Sequence, residues 1–259
     1  EIVSRRVEGD IHRYTYSDLG IRARKLANAL TKLGIKPGDI VGTLAWNGYR
    51  HLELYFALPG IQAVYHTINP RLAPDQLAYI INHADDKYIF VEAMFVPLLE
   101  DIADELSTLK GFVILCDREH MPETSLPSVI CYEELVESEN DSYMWGEFDE
   151  NTACGLCYTS GTTGAPKGAM ISNRNLIFIA QAFHEFYPIT AEDNSVVYLP
   201  LCHITERLLS VFLPLARCSA VNFIEGQDTA FENITEVSPT YFLGVPRIWE
   251  KMYSSITLR

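Results

Sequence analysis

Tyr158-Thr159-Ser160-Gly161-Thr162-Thr163-Gly164-Ala165-Pro166-Lys167-Gly168 lies between two apolar runs and packs four aliphatic hydroxyls, three glycines and one lysine into a short loop. These are the parts of a phosphate cradle. Glycines at 161, 164 and 168 let the backbone bring its N–H groups close to an anion. The Ser and Thr hydroxyls add short-range donors, and Lys167 adds a mobile positive charge. The loop is not the P-loop of GTPases and ATPases, which needs Gly before its Lys and Ser or Thr after it; Pro166 and Gly168 stand there instead.

Two further positions could carry chemistry. His203 follows an expected strand over 196–199 in Pro200-Leu201-Cys202-His203, at the strand end where α/β sheets place ligands. Arg247 follows Val245-Pro246, with Pro at a favoured first helical position, so it could face phosphate or substrate or pair with Glu250. Glu206 and Arg207 read as a local ion pair at a helix end. Arg71, in Asn69-Pro70-Arg71, reads as mainly structural.

At the glycine-rich loop the sequence resembles the acyl-adenylate-forming (AMP-binding) superfamily of acyl-CoA synthetases, luciferases and peptide-synthetase adenylation domains. Ile68-Asn69-Pro70-Arg71-Leu72, Leu199-Pro200-Leu201-Cys202-His203-Ile204-Thr205-Glu206-Arg207 and Val245-Pro246-Arg247-Ile248-Trp249-Glu250-Lys251-Met252 are similar to the long-chain fatty-acyl-CoA synthetases in particular. The resemblance implies ATP-dependent activation of a fatty acid to its acyl-adenylate, with pyrophosphate released, and then thioester formation with CoA. It implies that Thr159, Ser160, Gly161, Thr162, Thr163, Gly164 and Lys167 hold the β- and γ-phosphates, with Lys167 balancing charge as pyrophosphate leaves. It places His203 and Arg247 at the substrate and makes Lys167 and His203 catalytic. Magnesium would bridge phosphate oxygens rather than occupy a protein cage, so no metal-ligating residue is assigned.

Alternatives stay open: an adenylating enzyme for another carboxylate such as an aryl acid, or a non-catalytic nucleotide- or acyl-binding fragment. Full members of the superfamily are considerably longer and carry a Tyr-Gly-x-Thr-Glu segment, a ribose-binding Asp and a C-terminal domain with a catalytic Lys. None of these motifs occurs here. The expectation is therefore an N-terminal portion of a ligase, weak or inactive alone.

The elements that must position these residues alternate regularly. Helices are expected from a Ser17 cap to Gly34 and over 50–58, 74–83 and 95–109, with strands over 40–45, 63–68, 88–91 and 112–116 between them. The second half adds strands over 152–158, 168–172, 196–199, 220–223 and 241–245, with helices over 173–186, 207–217 and 247–256. This pattern predicts α/β architecture, with mostly parallel sheets flanked by helices, as in the large N-terminal domain of acyl-CoA synthetases. The expected division is a first subdomain over 1–132, an acidic connection over 133–151, and a second subdomain over 152–259 carrying the phosphate loop.

Composition narrows the function. The 259 residues are 48% hydrophobic and 21% charged, which suits a globular chain. With 20 Lys and Arg against 34 Asp and Glu, the net charge is −14, so nucleic acid is not an expected partner. No transmembrane segment or signal peptide is read, which points to the cytoplasm or a cytoplasmic membrane face. A homodimer and peripheral membrane attachment remain open. The six cysteines are scattered; Cys154 and Cys157 fall on opposite faces of an extended segment and read as free thiols.

Overall fold

The structure is a computed structural model that describes residues 1–6, 8–159, 165–226 and 228–257. The chain opens with β1 (Ile2–Arg5), β2 (Ile11–Tyr14), α1 (Tyr16–Lys32), β3 (Ile40–Leu44), α2 (Tyr49–Gly60), β4 (Val64–Thr67), α3 (Pro74–Ala84) and β5 (Asp86–Val91). It continues through α4 (Val96–Glu100), β6 (Gly111–Ile114), β7 (Val129–Cys131), α5 (Tyr132–Glu137), β8 (Ala153–Thr159), β9 (Lys167–Ser172) and α6 (Asn173–Phe186). The last elements are β10 (Asn194–Val197), α7 (Ile204–Arg207), α8 (Leu213–Arg217), β11 (Ala220–Phe223), α9 (Ala230–Val237) and α10 (Pro246–Thr257).

A seven-stranded sheet has the order β7-β6-β5-β3-β4-β8-β9, parallel except for the β8–β9 pair, and a four-stranded sheet has the order β10-β11-β1-β2. The α/β class with parallel sheets flanked by helices is thus present. The expected division at 132 and 152 does not follow the sheets. β8 joins β4 from the first segment, and β1 joins β11 from the last. Parallel neighbours are joined through crossovers, so sheet membership is independent of sequence halves.

α2 explains how the two sheets share a core. It touches β1 of one sheet and β4 and β8 of the other, so its residues are buried on almost every side, including Leu52, Leu54, Tyr55 and Leu58. Its three buried polar residues, Arg50, His51 and Glu53, must then find partners in the protein. Glu53 accepts from Arg22 Nε at 2.6 Å and from the Tyr132 hydroxyl at 2.6 Å. Glu133 accepts from Arg50 Nε at 2.7 Å, the Tyr49 hydroxyl at 2.6 Å and an Arg22 guanidinium nitrogen at 2.9 Å. The acidic connection is therefore tied down at α5. Lys32 extends the tie to Glu139, at 2.6 Å.

Three local expectations change. α1 is capped by Thr15 rather than Ser17: Thr15 and Asp18 exchange hydrogen bonds in a capping box, and Gly34 ends the helix at φ +80°. The expected helix over 95–109 shrinks to α4 with short 3₁₀ turns on either side. Glu100 and Asp104, and Asp101 and Glu105, would set like charges four residues apart in a continuous helix. Glu100 instead accepts from Thr124 and Ser125. Residues 241–245 are not a strand; they are held by bonds from Thr240 and Tyr241 to Asn194 O and from Tyr198 to Leu243 O. Among the described residues no helix is long and apolar enough to cross a membrane.

Candidate active site

Asn47, Arg71 and His203 follow the C-terminal ends of β3, β4 and β10, and Thr159 is the last residue of β8. That edge is where open parallel sheets present ligand-binding residues, because the connecting loops converge there. The β8–β9 hairpin frames the glycine-rich loop. Thr159 pairs with Lys167 and Tyr158 with Gly168 on its last rungs, and both Thr159 and Lys167 are exposed. A Cβ on Gly168 would stand 2.9 Å from Leu156 and 3.4 Å from the Tyr158 ring, so close packing as well as turn chemistry favours glycine there. Ser160, Gly161, Thr162, Thr163 and Gly164 lie outside the described residues.

The segment leading to His203 is fastened by side chains from the large sheet. Asn47 Nδ2 donates to Leu199 O at 2.6 Å, and the Leu201 N–H donates to Asn47 Oδ1 at 3.2 Å. The Tyr55 hydroxyl donates to Leu201 O at 3.3 Å, and the Cys157 thiol of β8 donates to Cys202 O at 3.4 Å. Cys154 turns the other way, to Ile171 O, as expected of residues three apart on a strand. His203 sits at the N-cap of α7, exposed. Desolvation, with the cations Arg207 and Arg71, holds its imidazole below the usual value, so it is neutral at pH 7 and able to accept a hydrogen bond.

Glu206 and Arg207 do not pair with each other. Neighbouring helical residues project about 100° apart and do not face one another. Arg207 is wholly buried, donates from Nε to Leu201 O at 2.6 Å, and lies 5.4 Å from the Tyr65 ring centroid. It is thus a brace for the loop before His203. Glu206 is 3% exposed, accepts from Ser210 Oγ at 2.7 Å, and faces an apolar cavity.

Two cavities meet at Tyr198, whose ring lines both. One, of about 320 Å³, is bordered by Arg71, Arg247, Lys251 and Asp228, with Leu199 and Ile248 as apolar walls. Arg247 is exposed at the start of α10 and, among the described residues, forms no ion pair with Glu250. Three cations against one carboxylate suit an anion. Arg71, read from sequence as structural, belongs to this group, and its guanidinium lies 5.7 Å from the Trp46 ring centroid. Lys251, four residues from Arg247 on α10, was the overlooked member; its helical spacing is the signal that could have found it.

The other cavity, of about 340 Å³, is lined mainly by apolar side chains, among them Phe183, Tyr187, Val196, Leu209 and Leu243. The arrangement can therefore hold an anionic group beside cations and an apolar group behind it, next to a neutral histidine and a glycine-rich loop.

A family profile described as AMP-binding enzyme matches residues 2–259. The sequence is 40% identical over 256 residues to a 3-methylmercaptopropionyl-CoA ligase of Ruegeria lacuscaerulensis, covering 96% of this chain and 47% of that protein. It is 37% identical over 255 residues to a long-chain-fatty-acid–CoA ligase of Thermus thermophilus, covering 96% and 45%. The chain spans about half the length of the curated relatives it matches. Among solved structures, the anthranilate CoA ligase AuaEII in complex with anthranoyl-AMP superposes with a TM-score of 0.83 over 93% of this chain and 45% of that one; at 21% identity this shows the shared fold.

Proposed function

The chain belongs to the AMP-binding enzyme family, and from that premise we propose that it works in a carboxylic acid:CoA ligase that activates a fatty acid as its acyl-adenylate. The observation that carries this reading is that two cavities, one bordered by cations and one apolar, share Tyr198, in the segment that follows β10 and leads to His203.

Activation requires the acid's carboxylate to attack the α-phosphorus of ATP while pyrophosphate leaves. The glycine-rich loop from Thr159 to Lys167 would wrap the departing phosphates, with Lys167 offsetting their developing charge. Arg71, Arg247 and Lys251 would hold anionic groups of the nucleotide or of CoA in the basic cavity. His203, neutral and beside Arg71, would orient the carboxylate. The apolar cavity would take the tail. The basic cavity offers one carboxylate, Asp228, too few for a protein cage around magnesium; that ion would enter with the nucleotide and supply neutralisation of phosphate charge.

CoA as the acceptor follows from ligases being the named activity of the relatives. Chain length is less constrained, since the relatives are ligases named for acyl groups from 3-methylmercaptopropionyl to medium-chain and long-chain acids. The long-chain assignment rests on the Pro200-to-Arg207 and Val245-to-Met252 motifs. A cytoplasmic location completes the reading; a homodimer and peripheral attachment to a membrane stay open, and sedimentation with and without vesicles tests both.

The decisive experiment is carboxylate-dependent exchange of labelled pyrophosphate into ATP across straight-chain acids of increasing length and an aryl acid, beside Lys167→Ala. Exchange with fatty acids that depends on Lys167 is the expected result. Exchange with the aryl acid alone would move the substrate to that class, and tight ATP binding without exchange under any acid would replace the ligase reading with a binding role.

A further inference from the structure

The apolar cavity has a polar wall that a plain hydrocarbon would not require. Glu206, Ser210, Ser195 and Tyr241 all line it. Glu206, Ser210 and Ser195 are 3%, 4% and 5% exposed, so their polar atoms depend on partners inside the protein. Ser210 satisfies one oxygen of Glu206. The buried Ser195 and Tyr241 hydroxyls stand beside each other and beside Ser219 without completing a hydrogen bond of standard geometry, and no cation pairs with Glu206 among the described residues. A ligand carrying a donor and an acceptor could complete the bonds that this geometry leaves imperfect.

The wall is built by an irregular helix. Between α7 and α8, residues Leu208–Phe212 form a π-turn, and it is this widened turn that supplies Leu209 and Ser210 to the cavity. Glu206 and Ser210, four residues apart, form one ledge. Tyr198 stands between the ledge and the basic cavity, donating its hydroxyl proton to Leu243 O at 3.0 Å and accepting from the Val245 N–H at 3.2 Å.

The polarity of the two cavities fixes the direction of a bound acid. A carboxylate would be repelled by Glu206 and attracted by Arg71, Arg247 and Lys251, so the head belongs on the basic side and the tail on the Glu206 side. We propose that Glu206, with Ser195, Ser210 and Tyr241, selects an acid whose tail carries a hydroxyl group over one ending in plain alkyl. This rests on the ligase reading for the carboxylate head and adds the recognition of the tail. A hydroxyl both donates and accepts, so it can give its proton to Glu206 and accept one from Tyr241. Burial, offset only in part by Ser210 and the Leu199 N–H, pushes the Glu206 carboxyl up to about 7. A hydroxyl suits either protonation state, whereas an ammonium would need the ionised one.

The test is calorimetric binding to the purified protein of straight-chain acids and their ω-hydroxy counterparts of equal carbon number, across several lengths, with no turnover required. At one or more lengths the hydroxy acid is expected to bind about tenfold tighter or better, since a site built to bond a hydroxyl rejects its absence strongly. Glu206→Leu should abolish the preference. Tyr241→Phe, which removes a single oxygen, should weaken it and serves if the leucine variant fails to melt cooperatively. Equal or tighter binding of the alkyl acid at every length, no binding of either acid, or a preference that survives a folded Glu206→Leu would each overturn the proposal. Pyrophosphate exchange reports separately on the ligase reading, which stands if exchange occurs and the binding preference is absent.

Discussion

Thr159 and Lys167 are directly opposed across the last rung of the antiparallel β8–β9 ladder. Opposed residues in such a ladder project from the same face of the sheet. The hydroxyl that opens the glycine-rich loop and the amine that closes it therefore share one side, with the loop's ends held a fixed distance apart.

Lys167→Ala should leave folding intact, because the side chain is exposed, while pyrophosphate exchange falls about 100-fold or more. Thermal melting and exchange rates on the same preparations check both parts. A large loss of melting temperature would show that Lys167 is structural.

Glu206 gives the protein a pH-dependent stability. Burial pushes its carboxyl up to about 7 in the folded protein, against an ordinary 4.5. Below pH 4.5 both states are protonated and the contribution is fully present; as pH rises toward 7 the unfolded state ionises while the folded one resists, and stability is lost. The slope integrates to about 3 kcal/mol. Urea melts from pH 4.5 to 8 should show this decline in the unchanged protein and a smaller one in Glu206→Gln.

Asn47→Ala removes both bonds that fasten Leu199 and Leu201. We expect a loss of about 1–2 kcal/mol and a local rise in hydrogen exchange at the Leu201 amide, with exchange activity falling through misplacement of His203. Mass-resolved hydrogen exchange distinguishes this from global destabilisation, which would raise exchange in α2 as well.

Glu133→Gln leaves Arg50 and Arg22 without their shared carboxylate in a largely buried setting. Burial favours the neutral acid, but the two guanidinium groups and their hydrogen bonds outweigh it and hold Glu133 below its usual value. Because Arg50 keeps Glu8 and Arg22 keeps Glu53, removing the charge should cost about 1–2 kcal/mol, read as a lowered urea midpoint at unchanged slope.

The β8 and β9 edges of the glycine-rich loop were legible because residue types there are dictated by chemistry and turn geometry. The alternation of elements was legible through hydrophobic spacing. The partner of Arg207 was not, since adjacency in sequence suggested Glu206 while the fold brought Leu201 O and the Tyr65 ring into reach. Nor could spacing show that 241–245 would be anchored by side-chain bonds instead of a ladder, or that Arg71 and Lys251, 180 positions apart in the chain, border one cavity. Those facts belong to tertiary packing. Glu206 and Ser210 are four apart, but the expected helix began at 207 and left Glu206 outside it, whereas α7 starts at Ile204.

The pairing of Ile2–Ser4 with Val221–Phe223 sets a schedule for biosynthesis. At ~5–20 residues per second, roughly 10–40 seconds separate the emergence of the two partners from the ribosome. During that interval β1 and β2 can form only a two-stranded ribbon, marginal by itself, with one edge unfilled. β1 is enclosed only when β11 arrives, so nascent chains halted before residue 220 should engage chaperones through this ribbon, and release should coincide with the arrival of β11.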